Sequence, residues 1–247
     1  MQYADYTLWQ RELPDNQLPF WTTALAGIPE QIDLPTDRPR PTVPSHRGDT
    51  VAFTVPAALR ARVEDLGREH DASAFMVLQA VLAVLLNRLG AGDDIVIGSP
   101  VQGRPEAALE ELVGLFANTL VLRTDVSGDP TFAELLARVR RFDVDAYAHA
   151  EMPFEQLVEV LNPQRSRSRH PLFQVMLTLN AETAPPDLPG LTVRLGDTPS
   201  QAAKFDLSLT LTEHAGSGPR SWSTPPTSST MPPYGPSPTA TCGCSPR

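Results

Sequence analysis

A helix that is apolar on nearly every face, followed directly by an apolar strand, is the feature that most constrains the fold of this chain. Residues 74–89 form the predicted helix, with Asp71 or Ser73 as its N-cap and two glycines at its end. Helices of this kind are usually buried. The next segment, 94–101, is centred on an Ile-Val-Ile run and predicts a strong strand.

The rest of the chain alternates between segments with the apolar spacing of helices and segments with the apolar spacing of strands. Helices are predicted over 4–13, 18–25, 56–70, 129–147 and 153–161, and strands over 50–55, 117–125, 172–180, 191–195 and 205–213. Residues 29–48 are too rich in proline for regular structure and suggest an extended connector laid over a domain. Alternating helices and strands predict a mixed α/β domain.

Composition narrows the function classes. The formal net charge of the 247 residues is -9 and 41% of them are hydrophobic. An acidic chain argues against a nucleic-acid or anionic-membrane surface, because both need a basic face. No apolar run reaches the length of a membrane span, and the first residues do not resemble a signal peptide, so a cytoplasmic location is predicted. Cys242 and Cys244 both lie in the last six residues, and no metal site or thiol nucleophile is predicted.

Four separated segments carry the functional information. In chain order they are Tyr3–Gln10, then Ile97–Arg104 with Val113–Arg123, then His149–Glu155, and finally Ser166–Gln174. Each is weak alone. Together, in this order and spacing, they resemble the later signature motifs of condensation domains from nonribosomal peptide synthetases. The resemblance covers roughly residues 1–216 and points to the C-terminal lobe of such a domain.

The resemblance implies a fold like that of chloramphenicol acetyltransferase, in which two similar α/β lobes meet in a V and enclose a tunnel. The expected fold class is one such α/β lobe, a mixed sheet with flanking helices, truncated at both ends. In the intact family member, an acceptor amine on one carrier protein attacks a donor thioester on another, and an amide forms.

The same resemblance implies that this chain binds no cofactor of its own. The substrates would be carried on the phosphopantetheine of partner carrier proteins. The implied partners are peptidyl carrier proteins and the N-terminal condensation lobe or an adjacent adenylation domain, with no nucleic acid and no membrane.

The catalytic motif of the family, two adjacent histidines followed after three residues by Asp-Gly, is not in this sequence. The five histidines stand at 46, 70, 149, 170 and 214, and no two are adjacent. Amide formation needs a group that positions or deprotonates an ammonium near neutral pH, which is a role suited to histidine. His149 is interpreted as a packing residue. No catalytic residue is therefore assigned, and the chain alone is predicted to be inactive.

Four polar residues are candidates for the wall of the substrate tunnel. Ser99 and Arg104 lie at the end of a buried strand, where ligands of α/β folds often gather. The alternative is a strand-to-loop turn in which Arg104 pairs with a neighbouring carboxylate. Asn118 and Thr119 begin the next strand, where an amide can orient a substrate or pin a crossover loop. Both interpretations stay open for each pair.

A second set of motif residues is interpreted as structural. An aromatic-rich face of the first helix is expected to pack the connector onto the lobe, and two arginines are expected to anchor the segment before the strand at Leu172. Because the chain is acidic, these arginines do not indicate nucleic-acid binding. The set comprises Tyr3, Asp5, Trp9, Gly114, Phe116, Arg123, Pro153, Phe154, Glu155, Arg167, Arg169 and Pro171.

The tail differs from the rest of the chain. Residues 221–247 contain seven prolines and a single charged residue. Read in a neighbouring frame with plausible synonymous codons, they become LEYATDLFDHATVRAIADRYLRLLSA, a strand-like start followed by an amphipathic helix. This string resembles the way condensation domains continue. The interpretation is a frameshift between about His214 and Ser221, and the alternative is a natural Pro/Ser/Thr linker.

The predicted organisation has three parts. They are a motif helix with a proline-rich connector (1–49), the C-terminal lobe of a condensation domain (50–216), and a tail (217–247) that is out of frame or disordered. The leading hypothesis is a fragment of a condensation domain. The alternatives are a non-catalytic module that docks carrier proteins or a neighbouring synthetase domain, and a pseudogene remnant.

Overall fold

The computed structural model describes residues 2–12, 17–36, 39–104, 106–181, 188–189, 191, 193, 202–214 and 221–223. The helices are α1 (Tyr3–Glu12), α2 (Gln17–Ala24), α3 (Ala57–Glu69), α4 (Ala74–Arg88), α5 (Phe132–Ala148) and α6 (Phe154–Leu161), with a 3-10 turn at Ala107–Leu109. The strands are β1 (Thr54–Val55), β2 (Asp94–Val101), β3 (Asn118–Asp125), β4 (Val175–Asn180), β5 (Leu207–His214) and β6 (Ser221–Ser223).

One mixed sheet organises these elements, in the order β1-β6-β5-β4-β2-β3. The central strands β5, β4 and β2 are parallel, whereas β3 pairs antiparallel with β2, and β6 pairs antiparallel with both β5 and β1. The long β2–β3 ladder sets Asp94 opposite Asp125 and Val101 opposite Asn118. The expected fold class, a mixed sheet with flanking helices, is confirmed.

Local sequence signals explain where the helices begin and end. The Ser73 hydroxyl accepts a hydrogen bond from the Met76 amide at the start of α4, so Ser73 is the cap of the two predicted candidates, Asp71 and Ser73. Thr131 and Glu134 form a reciprocal capping box at the start of α5. Asn162, in the left-handed region at φ 41°, ends α6.

The core between α4 and the sheet matches the apolar run that dominates the sequence. Leu82 and Leu86 of α4 pack on Ile95 and Ile97 of β2 and on neighbouring apolar residues of β4. The outer face of α4 is different, since Val81 and other apolar side chains there are about half exposed. The prediction that this helix is buried on all sides is therefore wrong for its outer face.

A second core lies between α2, α6 and the sheet. Trp21 and Leu25 of α2 pack with Leu157 of α6 and with Leu172 and Phe173. The Trp21 indole donates a hydrogen bond of 2.9 Å to the His149 carbonyl at the end of α5. This contact ties the first segments of the chain to the loop that carries the third motif.

The proline-rich connector is held against the domain at two points. The Ile32 amide donates to the Gln174 side chain, and Ile32 itself is buried. Further on, Arg40 makes an ion pair with Asp206 and donates to the Ser168 carbonyl. The connector is thus part of the packed structure in its described residues.

Several predicted boundaries differ from the structure. The strand expected over 50–55 is reduced to β1, and the one expected from 172 begins at Val175 because Leu172 adopts a φ of 65°. Of the strand expected over 191–195, Leu191 forms one isolated bridge with Leu188, and most of the rest lies outside the described residues. Three residues of the expected tail form β6, so the domain boundary at 216 stays a prediction.

Within the described ranges, no single helix is long and apolar enough to span a membrane; the α3–α4 pair meets that test only when joined across a bend of 103°.

Candidate functional site

Three of the four motifs meet around one cavity of about 490 Å³, called here the motif pocket. It lies between α1, the loop after β2, the start of β3 and the end of α5. Its lining residues are Tyr6, Trp9, Gln10, Val101, Gln102, Gly103, Arg104, Phe116, Asn118, Tyr147, Ala148, Ala150 and Glu151. The structure therefore brings together segments that are more than a hundred residues apart in the chain.

Helix α1 is fastened to the loop before β3 by aromatic contacts. The Tyr3 hydroxyl donates a hydrogen bond of 2.7 Å to the Leu115 carbonyl, and its ring meets the Phe116 ring edge-on at 5.3 Å. Glycine is needed at position 114, because a Cβ there would lie 2.2 Å from the Tyr3 ring. Tyr6 packs on Phe116 from the same side, with ring centroids 4.7 Å apart. These contacts form one wall of the pocket.

Arg104 supports that wall from the loop after β2. Its guanidinium donates to the carbonyls of Leu109, Glu110 and Leu112, and it stacks over the Phe116 ring at 4.1 Å. The proposed pairing of Arg104 with a carboxylate is wrong, because backbone carbonyls take its donors. The arginine shapes the 109–112 turn and still borders the pocket.

Asn118 joins the pocket to the third motif. Its side-chain amide donates to the carbonyls of Ala150 and Met152 at 2.9 and 2.7 Å, and its Oδ1 accepts from the Phe154 amide at 3.0 Å. One side chain thus satisfies three backbone groups of the α5–α6 crossover. Both the nitrogen and the oxygen of the Asn118 side chain are therefore used to hold this loop in place.

Replacing Asn118 by alanine is expected to lower the free energy of unfolding by about 2 kcal/mol, because three partly buried backbone groups lose their partner. Thr119→Ala is the matched control, since the adjacent hydroxyl makes no hydrogen bond to the described residues; we expect less than about 0.5 kcal/mol there. Urea denaturation monitored by circular dichroism measures both. Equal losses in the two variants would contradict the pinning role of Asn118.

The other two tunnel candidates lie elsewhere. Ser99 is buried within β2, opposite Leu120, and borders neither of the two cavities described here. Thr119 pairs with Pro100 in the ladder and does not line the motif pocket. The structure thus brings Arg104 and Asn118 together but not Ser99 or Thr119, and a tunnel role for any of them stays a prediction.

The polar character of the motif pocket comes from tyrosines and one carboxylate. Burial raises the pKa of Tyr6, and the neighbouring Tyr3 and Glu151 raise it further. Burial also raises the pKa of Tyr147, with a smaller contribution from Asp143. Both hydroxyls therefore keep their protons near neutral pH. The pocket thus offers two neutral hydroxyls beside the carboxyl group of Glu151.

The fourth motif lines a separate, larger groove of about 880 Å³. Arg169 in this groove makes an ion pair with Glu30 at 2.8 Å and also contacts Gln164. Glu155 from α6 also lines the groove. Arg167 is exposed and makes no hydrogen bond or ion pair with the described residues. The two predicted anchoring arginines thus differ, and only Arg169 has an anchoring contact.

The remaining motif residues differ in their contacts. Arg123 makes a two-point ion pair with Asp94 and also donates to the Ala24 and Ala26 carbonyls at the end of α2. The Asp5 carboxylate accepts from the Gln2 amide, Pro153 precedes the first residue of α6, and the Pro171 carbonyl accepts from the Phe173 amide. Trp9 lines the motif pocket.

The two histidines inside the motifs are engaged in packing. The His149 ring stacks on Phe20 at 4.2 Å, and its Nδ1 lies 2.7 Å from the Asp145 carbonyl. His170 packs among three phenylalanines, including Phe173 at 4.5 Å. Burial lowers the pKa of His170. Both rings are used to hold elements together.

Among the residues that the structure describes, no group of three or more His, Cys, Asp and Glu side chains is arranged to hold a metal ion. Cys242 and Cys244 lie outside the described residues.

Comparison with known proteins covers the part of the chain that carries the motifs. The family model described as the condensation domain matches residues 1–218, which includes all four motifs. The chain belongs to the condensation-domain family. Outside that range the match gives no information about the tail.

Relatives of this condensation-domain chain are large synthetases. It is 52% identical over 224 residues to a dimodular nonribosomal peptide synthase of Bacillus subtilis, matching 86% of this chain and 9% of the relative. It is also 52% identical to a probable non-canonical nonribosomal peptide synthetase of Salinispora arenicola, matching 87% of this chain and 3% of the relative. The chain therefore spans less than a tenth of the length of these relatives.

A solved structure confirms the fold of the condensation-domain chain. The X-domain in its complex with OxyB, from teicoplanin biosynthesis, matches with a TM-score of 0.81 and 37% identity. The match covers 90% of this chain and 52% of that one.

Inference from the sequence missed several lining residues of the motif pocket. Gln10, Gln102 and Glu151 stood inside or beside quoted motifs, but nothing in their spacing showed that they would face one cavity. His170 also lies inside a motif, and its ring packing was not anticipated. A buried pair, Gln79 and Asp143, could have been found, because Gln79 interrupts the apolar run of α4 and Asp143 interrupts the apolar face of α5.

Proposed function

We propose that this chain serves amide-bond formation between carrier-bound acyl and aminoacyl groups, as the C-terminal lobe of a condensation domain that needs a second lobe for catalysis. The substrates would arrive on the phosphopantetheine of carrier proteins. The family membership and the large synthetase relatives support this assignment.

The observation that carries the proposal is that the two histidines within the motifs serve as packing residues. His149 and His170 are held in ring stacks, and each has its Nδ1 next to a backbone carbonyl. A general base must reach the proton that it removes. Neither ring lines the motif pocket, so the catalytic histidines would come from the other lobe. The chain alone is then expected to turn over no substrate.

An exposed apolar surface beside the motif pocket supports the need for a partner. Val113 is 94% exposed and Leu115 75% exposed, and Leu8 and Trp9 of α1 are also exposed. Large exposed apolar patches on a folded chain mark interaction sites. The N-terminal lobe is the occupant that the family architecture implies.

A complementation assay tests the proposal. The chain is mixed with the N-terminal half of the Bacillus subtilis relative's condensation domain, which is chosen to carry the histidine pair, and with loaded donor and acceptor carrier proteins. We expect amide product from the mixture and none from either half alone. Turnover by the chain alone would overturn the proposal.

The interface can be tested within the same assay. Leu115→Gln is expected to weaken complementation at least tenfold, because a polar side chain replaces a largely exposed apolar side chain on this surface. Leu59→Gln, at a half-exposed leucine of α3, is the matched control and should retain the product yield. Equal yields from both variants would place the lobe interface elsewhere.

A second candidate is a non-catalytic docking module. It is favoured by the solved X-domain, which was captured in a complex with OxyB. In that case the chain would bind a synthetase-associated protein or a carrier protein without turnover. Binding that persists in the presence of the N-terminal lobe, with no amide formed, would favour this candidate over the first.

A further inference from the structure

Asp143 and Gln79 form a buried polar contact in the centre of the helical layer. Asp143 lies on the inner face of α5, Gln79 lies on the inner face of α4, and both side chains are fully buried. The Gln79 Nε2 donates to Asp143 Oδ1 at 3.1 Å and to the Thr124 hydroxyl of β3 at 3.3 Å. One contact therefore links α4, α5 and the sheet.

Two atoms of this contact have no hydrogen-bond partner among the described residues. Asp143 Oδ2 and Gln79 Oε1 are both buried without a hydrogen bond, although the other end of each side chain is satisfied. Both are acceptors when the carboxyl is ionised. A single proton on Asp143 Oδ2 would turn that oxygen into a donor, and Gln79 Oε1 would be the acceptor for it, as in a carboxylic acid–carboxamide pair.

Among the described residues, no charged group acts on Asp143 in a way that would favour its ionised form. No lysine, arginine or histidine of the described residues makes an ion pair with Asp143. The groups that face it are the neutral Gln79 from α4, the neutral Thr124 from β3 and, on its own helix, Tyr147. An unpaired buried carboxylate is costly, so the neutral acid is the form that fits this site.

We propose that Asp143 holds a proton in the folded chain and forms a neutral acid–amide pair with Gln79, and that loss of this proton loosens the contact between α4, α5 and β3 next to the motif pocket. Burial raises the pKa of Asp143 to about 7, and the hydrogen bond from Gln79 opposes part of this effect. The proton is thus lost near neutral pH. Tyr147, one turn further along α5, lines the motif pocket and carries the effect to its wall.

The sign of the pH dependence follows from the raised pKa. Below about pH 4, Asp143 is protonated in both the folded and the unfolded state, and its contribution to the free energy of unfolding is at its maximum. Between about pH 4 and 7 only the unfolded chain releases the proton, so stability falls as pH rises. Above about pH 8 both states are ionised and the loss is constant. A displacement of about three pKa units changes the unfolding equilibrium up to roughly a thousandfold.

The test compares pH profiles of the full chain and two variants. Asp143→Asn keeps the shape of the side chain and its ability to pair with Gln79, but it removes the titrating group. Asp145→Asn is the matched control, since it changes an exposed carboxyl group two residues away. Thermal unfolding is measured from pH 5 to pH 9. Relative to wild type, we expect D143N to gain stability steadily as pH rises, by a hundredfold or more in the unfolding equilibrium at pH 8, whereas D145N follows the wild-type profile.

A direct measurement keeps the proposal testable if D143N folds poorly. The infrared carbonyl band of a protonated carboxylic acid should be present in wild-type protein at pH 6, persist in D145N, and vanish above pH 8. A double variant, Gln79→Leu with Asp143→Leu, removes both polar groups together and should lack the band and the pH slope. The same slope in wild type, D143N and the double variant, or no band at pH 6, would overturn the proposal.

Discussion

Replacing residues 221–247 by the neighbouring-frame sequence LEYATDLFDHATVRAIADRYLRLLSA is expected to raise the free energy of unfolding by about 2–4 kcal/mol. For a chain of this size the melting temperature should rise by roughly 5–15 °C. The apolar residues of this string recur at helical spacing, and buried apolar surface contributes about 25 cal/mol per Å² before the entropy of ordering the segment is subtracted. The half-exposed outer face of α4 offers apolar surface of this kind, for example at Val81 and Leu85.

The replacement changes one contact inside the described sheet. Trp222 of β6 is buried against Arg60 of α3, at 5.3 Å from the guanidinium. Arg60 is itself buried and donates hydrogen bonds to Glu64 and Glu213, and its Nη1 has no hydrogen-bond partner among the described residues. The neighbouring frame places glutamate at position 222. A carboxylate there would supply the acceptor that the Nη1 group lacks.

The control is a shuffled tail with the same composition but without the helical spacing. It should leave the melting temperature close to that of the original chain. The gene gives an independent check, because the shifted frame must be free of stop codons over this stretch. Equal melting temperatures for the shifted and shuffled tails would show that residues 221–247 belong to the chain as they stand.

Gly103→Ala is expected to destabilise the fold by about 2–5 kcal/mol. Gly103 has a φ of 64°, which costs an L-residue about 1–2 kcal/mol. A Cβ on this residue would also lie 1.7 Å from the Phe116 carbonyl oxygen, and that backbone cannot move without disturbing the wall of the motif pocket. Overpacking of this kind adds about 1–3 kcal/mol.

Gly128→Ala separates the two causes. Gly128 has a φ of 82°, but a Cβ there meets no atom within 4 Å. This variant should therefore show only the conformational cost, about 1–2 kcal/mol. Urea titration of both proteins gives the comparison, and the difference between them measures the steric contact with Phe116. If the two variants lose the same stability, the close approach at Gly103 contributes nothing.

Local sequence signals predicted most of the helices and strands. They did not predict the contacts between residues that are distant in the chain. The α4 helix with its Ser73 cap and the capping box of α5 could be read directly, because each depends on residues within a few positions. The partners of Asn118 could not, since they come from a loop more than thirty residues away. The carbonyl contacts of Arg104 depend on a turn whose shape the sequence does not show.

The motifs predicted which segments matter but not what each side chain does. Three of them meet at one pocket because β2 and β3 pair over their full length and α1 docks on the loop between them. No spacing rule shows that docking. The buried pair of Asp143 and Gln79, by contrast, was visible in the sequence. Asp143 is a charged residue on the apolar face of α5, and Gln79 interrupts the apolar run of the facing helix α4.

The position of β6 in the sheet has a consequence for synthesis on the ribosome. Among the described strands, β1 pairs only with β6, and about 165 residues separate them in the chain. At about 5–20 residues per second, roughly 10–30 s pass between the emergence of the two strands. During that time the nascent chain carries an unpaired β1 and cannot close its sheet. Translation that stops or slips before residue 221 therefore leaves an edge open to chaperones or to aggregation.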